Sequence, residues 1–175
     1  MLVTISGLPG SGTTTVSRLV ADALGVARVN GGEVFRAMAA EAGLSLADFG
    51  ELARSDRRYD EELDRRLVER AAEGGCVIES RLAGWLVVRA ELVALRTWVD
   101  CSPTVRAERV ASRDEIPVAQ ALEDNAQRAA LERARYQAYY DIDLQDMAPY
   151  DLVLDSTATP AEQLADRIVE AARRP

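Results

Sequence analysis

Lysine and histidine are both absent from this chain of 175 residues; its 21 basic residues are all arginine. Without histidine, Ser-His-Asp triads and histidine metal centres are excluded. Cysteine is scarce. Cys76 and Cys101 stand at the ends of apolar runs, which predicts two reduced, buried thiols rather than a disulfide framework. No apolar run approaches the length needed to span a bilayer. The chain opens directly on a strand-like run rather than a leader, so the expectation is a cytoplasmic protein. A net charge of −8 and a pI near 4.7 argue against non-specific nucleic-acid binding, which needs a basic footprint.

The apolar content of 48% and charged content of 29% are those of an ordinary globular protein. The length suits one domain with a single core. Short apolar runs alternate with helical stretches, which reads as α/β with a parallel sheet. Strands are expected at residues 2–6, 26–30, 76–79, 96–100 and 151–154. Helices are expected at 14–24, closed by Gly25 at its C′ position, then after Gly31-Gly32, through much of 44–73, from Pro103, over 118–140, and from Pro160 to near Ala172. Two segments, about 31–73 and about 113–143, are too polar to be core layers and read as lobes over a site.

The first strand runs straight into GLPGSGTTT, residues Gly7, Leu8, Pro9, Gly10, Ser11, Gly12, Thr13, Thr14 and Thr15. This is the frame of a phosphate loop, G-x-x-x-x-G-K-[ST], with Thr13 in the lysine slot. Glycines let the backbone fold into a nest of inward-pointing N–H groups, and the following helix adds its positive end. Thr14 is placed to offer its hydroxyl to Mg²⁺. The alternative, a glycine-rich turn that merely joins strand to helix, is disfavoured by the strand before, the helix after and the spacing. A lysine at position 13 would span the β- and γ-phosphates. One such pair at about 4 Å and an effective dielectric of ~20 is worth roughly 4 kcal/mol before desolvation. Arginine was available to this chain, so lysine avoidance alone does not explain a neutral Thr13.

Other strand ends carry charge. Arg36 follows NGGEVF at the end of the second strand, where ligands of open parallel sheets bind, and a guanidinium there can grip an acceptor phosphate bidentately. Glu79 ends the third apolar run and can hold Mg²⁺ through water, with Asp100 a competitor for that role; Arg81, two residues on, can reach the acceptor phosphate. The charged pairs around Asp56–Arg58 and Asp64–Arg66 read first as a solvated, ion-paired helix surface.

Taken together, GLPGSGTTT, NGGEVFR, DEELDRR, VIESRLAGW, VRAERVASRD, RARYQAYYDID and YDLVLDST resemble, in order and over nearly the whole chain, the P-loop nucleoside-monophosphate kinases, specifically the short archaeal-type cytidylate kinases. The resemblance implies a P-loop NTPase three-layer sandwich with a five-stranded parallel sheet, a monophosphate-binding lobe and an arginine-rich lid. It implies Mg²⁺-dependent transfer of phosphate from ATP to CMP or dCMP. It also implies base recognition by Asp60, Asp64 and Arg65, and a catalytic set of lid arginines: Arg109, Arg113, Arg128 and Arg135. Arg128 or Arg135 is expected to supply the charge that Thr13 does not. Alternatives are a kinase for UMP, AMP or a modified nucleotide, and a catalytically weak nucleotide-binding protein. The expected state is a monomer. The chain departs from the family pattern in NAQRAALERAR, where a serine and acidic residues usually precede the lid arginine, and at Asp141, where glycine is usual.

Overall fold

The computed structural model describes residues 1–174. Its elements are β1 (Leu2–Gly7), α1 (Thr13–Leu24), β2 (Ala27–Asn30), α2 (Gly31–Glu41), α3 (Leu46–Ser55), α4 (Arg57–Ala72), β3 (Cys76–Glu79), α5 (Ala83–Arg89), β4 (Leu95–Asp100), α6 (Pro103–Asp114), α7 (Val118–Tyr140), β5 (Leu152–Asp155) and α8 (Ala161–Ala172). The strands form one sheet in the order β2-β3-β1-β4-β5, with every pairing parallel. Parallel neighbours require crossover connections, and helices cover both faces, which is why the strands carry no clean polar alternation.

Because side chains alternate along a strand, β1 feeds two cores. Val3 and Ile5 join Val77, Val99 and Leu154 against Val16 and Val20 of α1 and Leu164 and Ile168 of α8. On the opposite face Leu2 and Ile78 pack with Leu67 of α4 and with Ala83 and Val87 of α5. The helix α5 escapes a periodicity reading. It is short, follows β3 closely and lies in an almost unbroken apolar stretch, where helix and buried strand look alike. Gly84 in its first turn is required by packing: a Cβ there would come within 2.4 Å of the Tyr150 ring. Gly25 ends α1 in the left-handed conformation, at φ 66°.

Both polar segments are largely helical, and two small apolar clusters lie beside the main cores. Met38, Ala39 and Phe49 pack with Phe35 and Tyr59 between α2, α3 and α4. Ala107, Val110, Ala111 and Ala121 join α6 to α7. Cys76 and Cys101 are both buried and unpaired.

Candidate active site

At the carboxyl edge of the sheet the chain turns through residues 8–12, with Gly10 at φ 80° and Gly12 at φ 89°, values that favour glycine. Two glycines of the loop, Gly7 and Gly10, have no spare room. A Cβ on Gly7 would lie 2.6 Å from both Ser11 Oγ and the Val99 carbonyl, and one on Gly10 would lie 2.5 Å from the Arg106 carbonyl. The loop's carbonyls all have donors. Arg81 Nη1 donates to Gly7 O, Ser11 N to Leu8 O at 3.1 Å, Arg106 Nη1 to Pro9 O at 3.3 Å, and Arg109 Nη1 to Gly10 O at 3.4 Å. Ser156 Oγ donates to Ser11 O at 2.8 Å, and Val16 N to Gly12 O at 3.1 Å. With its acceptors occupied, the loop offers amide donors to whatever it cradles. The α1 N-terminus behind it has no side-chain cap and no acidic residue in its first turn, so no residue of the helix itself occupies its free amides.

Glu79 closes this loop from the end of β3. Its Oε1 accepts from Thr13 Oγ1 at 2.9 Å and from Thr14 Oγ1 at 2.8 Å. Its Oε2 accepts from Ser17 Oγ at 2.9 Å, Asn30 Nδ2 at 2.6 Å and Arg28 Nη1 at 3.1 Å. Asn30 also caps α2, accepting from Glu33 N at 2.9 Å. Thr13 therefore helps to fix the carboxylate rather than leaving the lysine slot idle. The donor set suits Mg²⁺, a hard cation that keeps several waters and takes few protein ligands: a hydroxyl and a carboxylate oxygen stand together here. Among the described residues no cluster of three or more His, Cys, Asp or Glu could hold a metal by itself. Asp100 is exposed at the end of β4 and makes no comparable contact with the loop hydroxyls, which favours Glu79 of the two acids.

Across from the loop, Arg36 on α2 is exposed and its guanidinium lies over Gly32, with Nη1 3.6 Å from where a Cβ would stand. Arg81 Nε donates to Glu132 Oε2 at 2.8 Å, and Arg128 Nε to Glu132 Oε1 at 2.9 Å. Glu132, 8% exposed, thus ties an arginine from the β3 end to one from α7. Burial alone would raise its carboxyl pKa, but the charges and hydrogen bonds of Arg81 and Arg128 outweigh it and hold it below the ordinary value.

A second polar cluster lies between α4 and α7. Asp60 and Asp64 are one helical turn apart on α4. Arg135 Nε is 3.3 Å from Asp60 Oδ2, and the Arg135 guanidinium lies 5.2 Å from the centre of the Tyr136 ring. Burial pushes the Asp60 carboxyl up, against the pull of Arg135. It pushes Asp64 up to about 7, with the Tyr140 hydroxyl opposing and the charge of Asp60 adding. Asp60 Oδ2 and Arg135 Nε meet as an ion pair without an aligned hydrogen bond, and Asp64 Oδ2 and the Tyr140 hydroxyl are likewise buried without hydrogen-bond partners. A buried polar atom left unpaired costs about 1–3 kcal/mol, and a polar ligand reaching these carboxyls can offset part of that cost. Arg65 is not part of it. It points to the other side of α4, held between Glu62 and Glu69. Arg113 is likewise held at the surface by Asp114, at 2.6 Å.

Arg109 lies on the opposite flank of the loop. Its guanidinium donates to Ser156 Oγ at 3.1 Å and to Ser156 O at 2.7 Å. Together with Gly12, Thr15 and Thr159 it lines a cavity of about 220 Å³. A larger cavity of about 310 Å³, under α7, touches the loop only at Leu8. Sequence reading passed over Ser17, Arg28, Arg106 and Glu132, took Asn30 only as a strand end, and took Ser156–Thr159 only as a turn near the adenine. Only Glu132 carried a hint, being the acid next to the arginines of RARY; the rest join the site through contacts between distant segments.

The chain matches the model of the cytidylate kinase-like family over residues 2–158. It is 44% identical over 170 residues to a cytidylate kinase of Halorubrum lacusprofundi, covering 97% of this chain and 88% of that protein. It is 45% identical over 157 residues to a cytidylate kinase of Pyrococcus horikoshii, covering 90% and 80%. Among solved structures, an uncharacterized protein from Eubacterium ventriosum aligns over 100% of this chain and 99% of its own with a TM-score of 0.77 at 15% identity. Shikimate kinase from Acinetobacter baumannii aligns over 97% and 91% with a TM-score of 0.63, also at 15% identity. These structures share the fold.

Proposed function

The chain belongs to the cytidylate kinase-like family and is a nucleotide phosphotransferase of that kind, and we propose that it transfers the γ-phosphate of ATP to CMP or dCMP, giving CDP or dCDP, as a monomer. The observation that carries the reading is the phosphate loop whose carbonyls from Gly7 to Gly12 are all engaged, that of Gly7 by Arg81. Triphosphate binds the loop amides and the α1 N-terminus, with its base end beside Arg109 and the Ser156–Thr159 turn. Thr14, and Glu79 through water, would hold Mg²⁺, which when bound would neutralise phosphate charge and orient the triphosphate. The acceptor phosphate is gripped by Arg36 and Arg81, and the cytosine is read by Asp60 and Asp64, carboxyls suited to its amino group and ring nitrogen.

No general base is needed, because the attacking oxygen belongs to a phosphate that is already anionic. Positioning and charge neutralisation supply the acceleration. Arg128 and Arg135 sit on α7 and neutralise charge when both nucleotides are bound, while closure of the α6–α7 lobe excludes water. No helix among the described residues is long and apolar enough to cross a membrane.

The test is turnover of a panel of nucleoside monophosphates with ATP and Mg²⁺, following ADP and diphosphate together. CDP and dCDP are expected, with no diphosphate from AMP or UMP. Uptake of ATP with no product from any acceptor would refute the reading.

A further inference from the structure

The cations around the phosphate loop are not equivalent. Arg81 and Arg128 are neutralised by Glu132, Arg28 by Glu33 and Glu79, and Arg135 by Asp60. Each must give up or share a carboxylate before its charge can serve a phosphate. Arg106 differs. It is 7% exposed, the one buried arginine among the described residues, and its guanidinium meets only neutral carbonyls: Cys101 O at 3.3 Å and Pro9 O at 3.3 Å. Burial above all opposes its charge, and Arg81 adds to that; Cys101 and Asp100 favour the charge, yet neither forms an ion pair with it. Burying an ion without a counter-ion is costly, and other buried charges here, Glu79, Glu132 and Asp60, each have an opposite charge at hand.

The placement of Arg106 gives that cost a use. Its backbone lies against Gly10, so that a Cβ there would strike the Arg106 carbonyl, and its side chain reaches round to hold the Pro9 carbonyl. The guanidinium therefore stands one backbone layer behind the loop, in a site with little water to screen it. Arg109, one turn along α6, is also without a carboxylate partner, but it is exposed and committed to Ser156.

We propose that Arg106 is the resident cation of this phosphate loop, a positioning residue that holds the Pro9 turn and supplies from behind it positive charge that Thr13 does not supply from in front. The inference rests on the kinase reading above. It makes the loop's affinity for triphosphate depend on a residue that touches no substrate, and it means the folded protein without nucleotide carries an uncompensated charge that triphosphate relieves.

The experiment compares wild type with Arg106→Gln and Arg106→Lys. It measures the Kd for ATP with Mg²⁺ and for inorganic tripolyphosphate by calorimetry, the KM for CMP, and the thermal midpoint without nucleotide. Arg106→Gln should weaken ATP and tripolyphosphate about ten- to hundredfold, leave the CMP KM within about twofold, and leave the nucleotide-free midpoint unchanged or raised. Arg106→Lys, which can keep the charge but not the two-pronged grip on the Pro9 and Cys101 carbonyls, should fall between wild type and Arg106→Gln for both ligands. Undiminished triphosphate binding by Arg106→Gln overturns the proposal. So does Arg106→Lys weakening as much as the neutral variant, which also decides the matter if Arg106→Gln does not fold. Wild type that takes up neither ATP nor tripolyphosphate would instead sink the kinase reading itself.

Discussion

Replacing Glu132 by Gln is the sharpest perturbation of the contact between the β3 end and α7. The carboxylate is almost completely buried and accepts from Arg81 at 2.8 Å and Arg128 at 2.9 Å. With the charge centres about 4 Å apart, each pair is worth about 4 kcal/mol before desolvation at an effective dielectric of ~20. The Arg128 share is discounted because its side chain is 61% exposed and water screens it; the Arg81 share is better preserved at 17% exposure. Removing the charge leaves two guanidiniums without their common partner, a net loss of about 2–3 kcal/mol against the 3–5 kcal/mol typical of a broken buried pair. For a chain of this size that lowers Tm by about 5–10 °C. The pH dependence follows from the lowered carboxyl pKa. Its stabilisation is complete above the ordinary value of 4.5 and is lost as the pH falls through the lower folded value. Urea unfolding between pH 7.5 and 3.5 should therefore show the gap between wild type and Glu132→Gln constant at high pH and narrowing below pH 4.5. CMP should also raise the midpoint of the variant more than that of wild type, since its phosphate meets two unquenched arginines. A gap that is absent at pH 7, or that stays constant into acid, would refute this account of Glu132.

For Asp64 the sign is reversed. Its folded pKa, pushed up to about 7 from 3.8 by burial, means that ionisation penalises the folded state as pH rises between those values. Asp64→Asn should gain on wild type through that window, by a few kcal/mol at most, and hold a constant advantage above pH 7 in thermal melts without substrate. Asp141 closes α7 in the left-handed region at φ 51°, where the family pattern places glycine. Its carboxylate also faces the negative helix end, against one bond from Gln137 at 2.6 Å. Asp141→Gly should stabilise by about 0.5–1 kcal/mol in urea unfolding. Arg109→Ala should raise the ATP KM about tenfold, the loss of one charged hydrogen-bonding group, and leave the CMP KM within about twofold; the opposite pattern would place Arg109 on the acceptor side.

Much of the fold can be read along the chain because its causes are local or periodic. Buried strands, the Gly25 stop of α1 and the long polar α7 follow from residue types at short spacing. The phosphate loop is legible for the same reason: strand, glycines and helix N-terminus are contiguous, and the amide nest needs no distant partner. Only α5 escaped, since a short apolar helix and a buried strand present the same run of side chains.

The inventory of arginines was visible too, but not which of them are free to act. Arg65 and Arg135 both lie in charged, helix-forming sequence. Yet α4 turns Arg65 out to Glu62 and Glu69, while α7 carries Arg135 in to Asp60. Glu132 meets Arg81 across 51 positions of chain, and Arg106 meets Pro9 across 97. What sequence determined was the set of elements and the loop that binds anions, because hydrophobic periodicity and backbone stereochemistry act over a few residues. What the tertiary structure alone decided was where charge is cancelled and where it is kept, because Coulomb energy depends on distance and burial in space and is indifferent to separation along the chain.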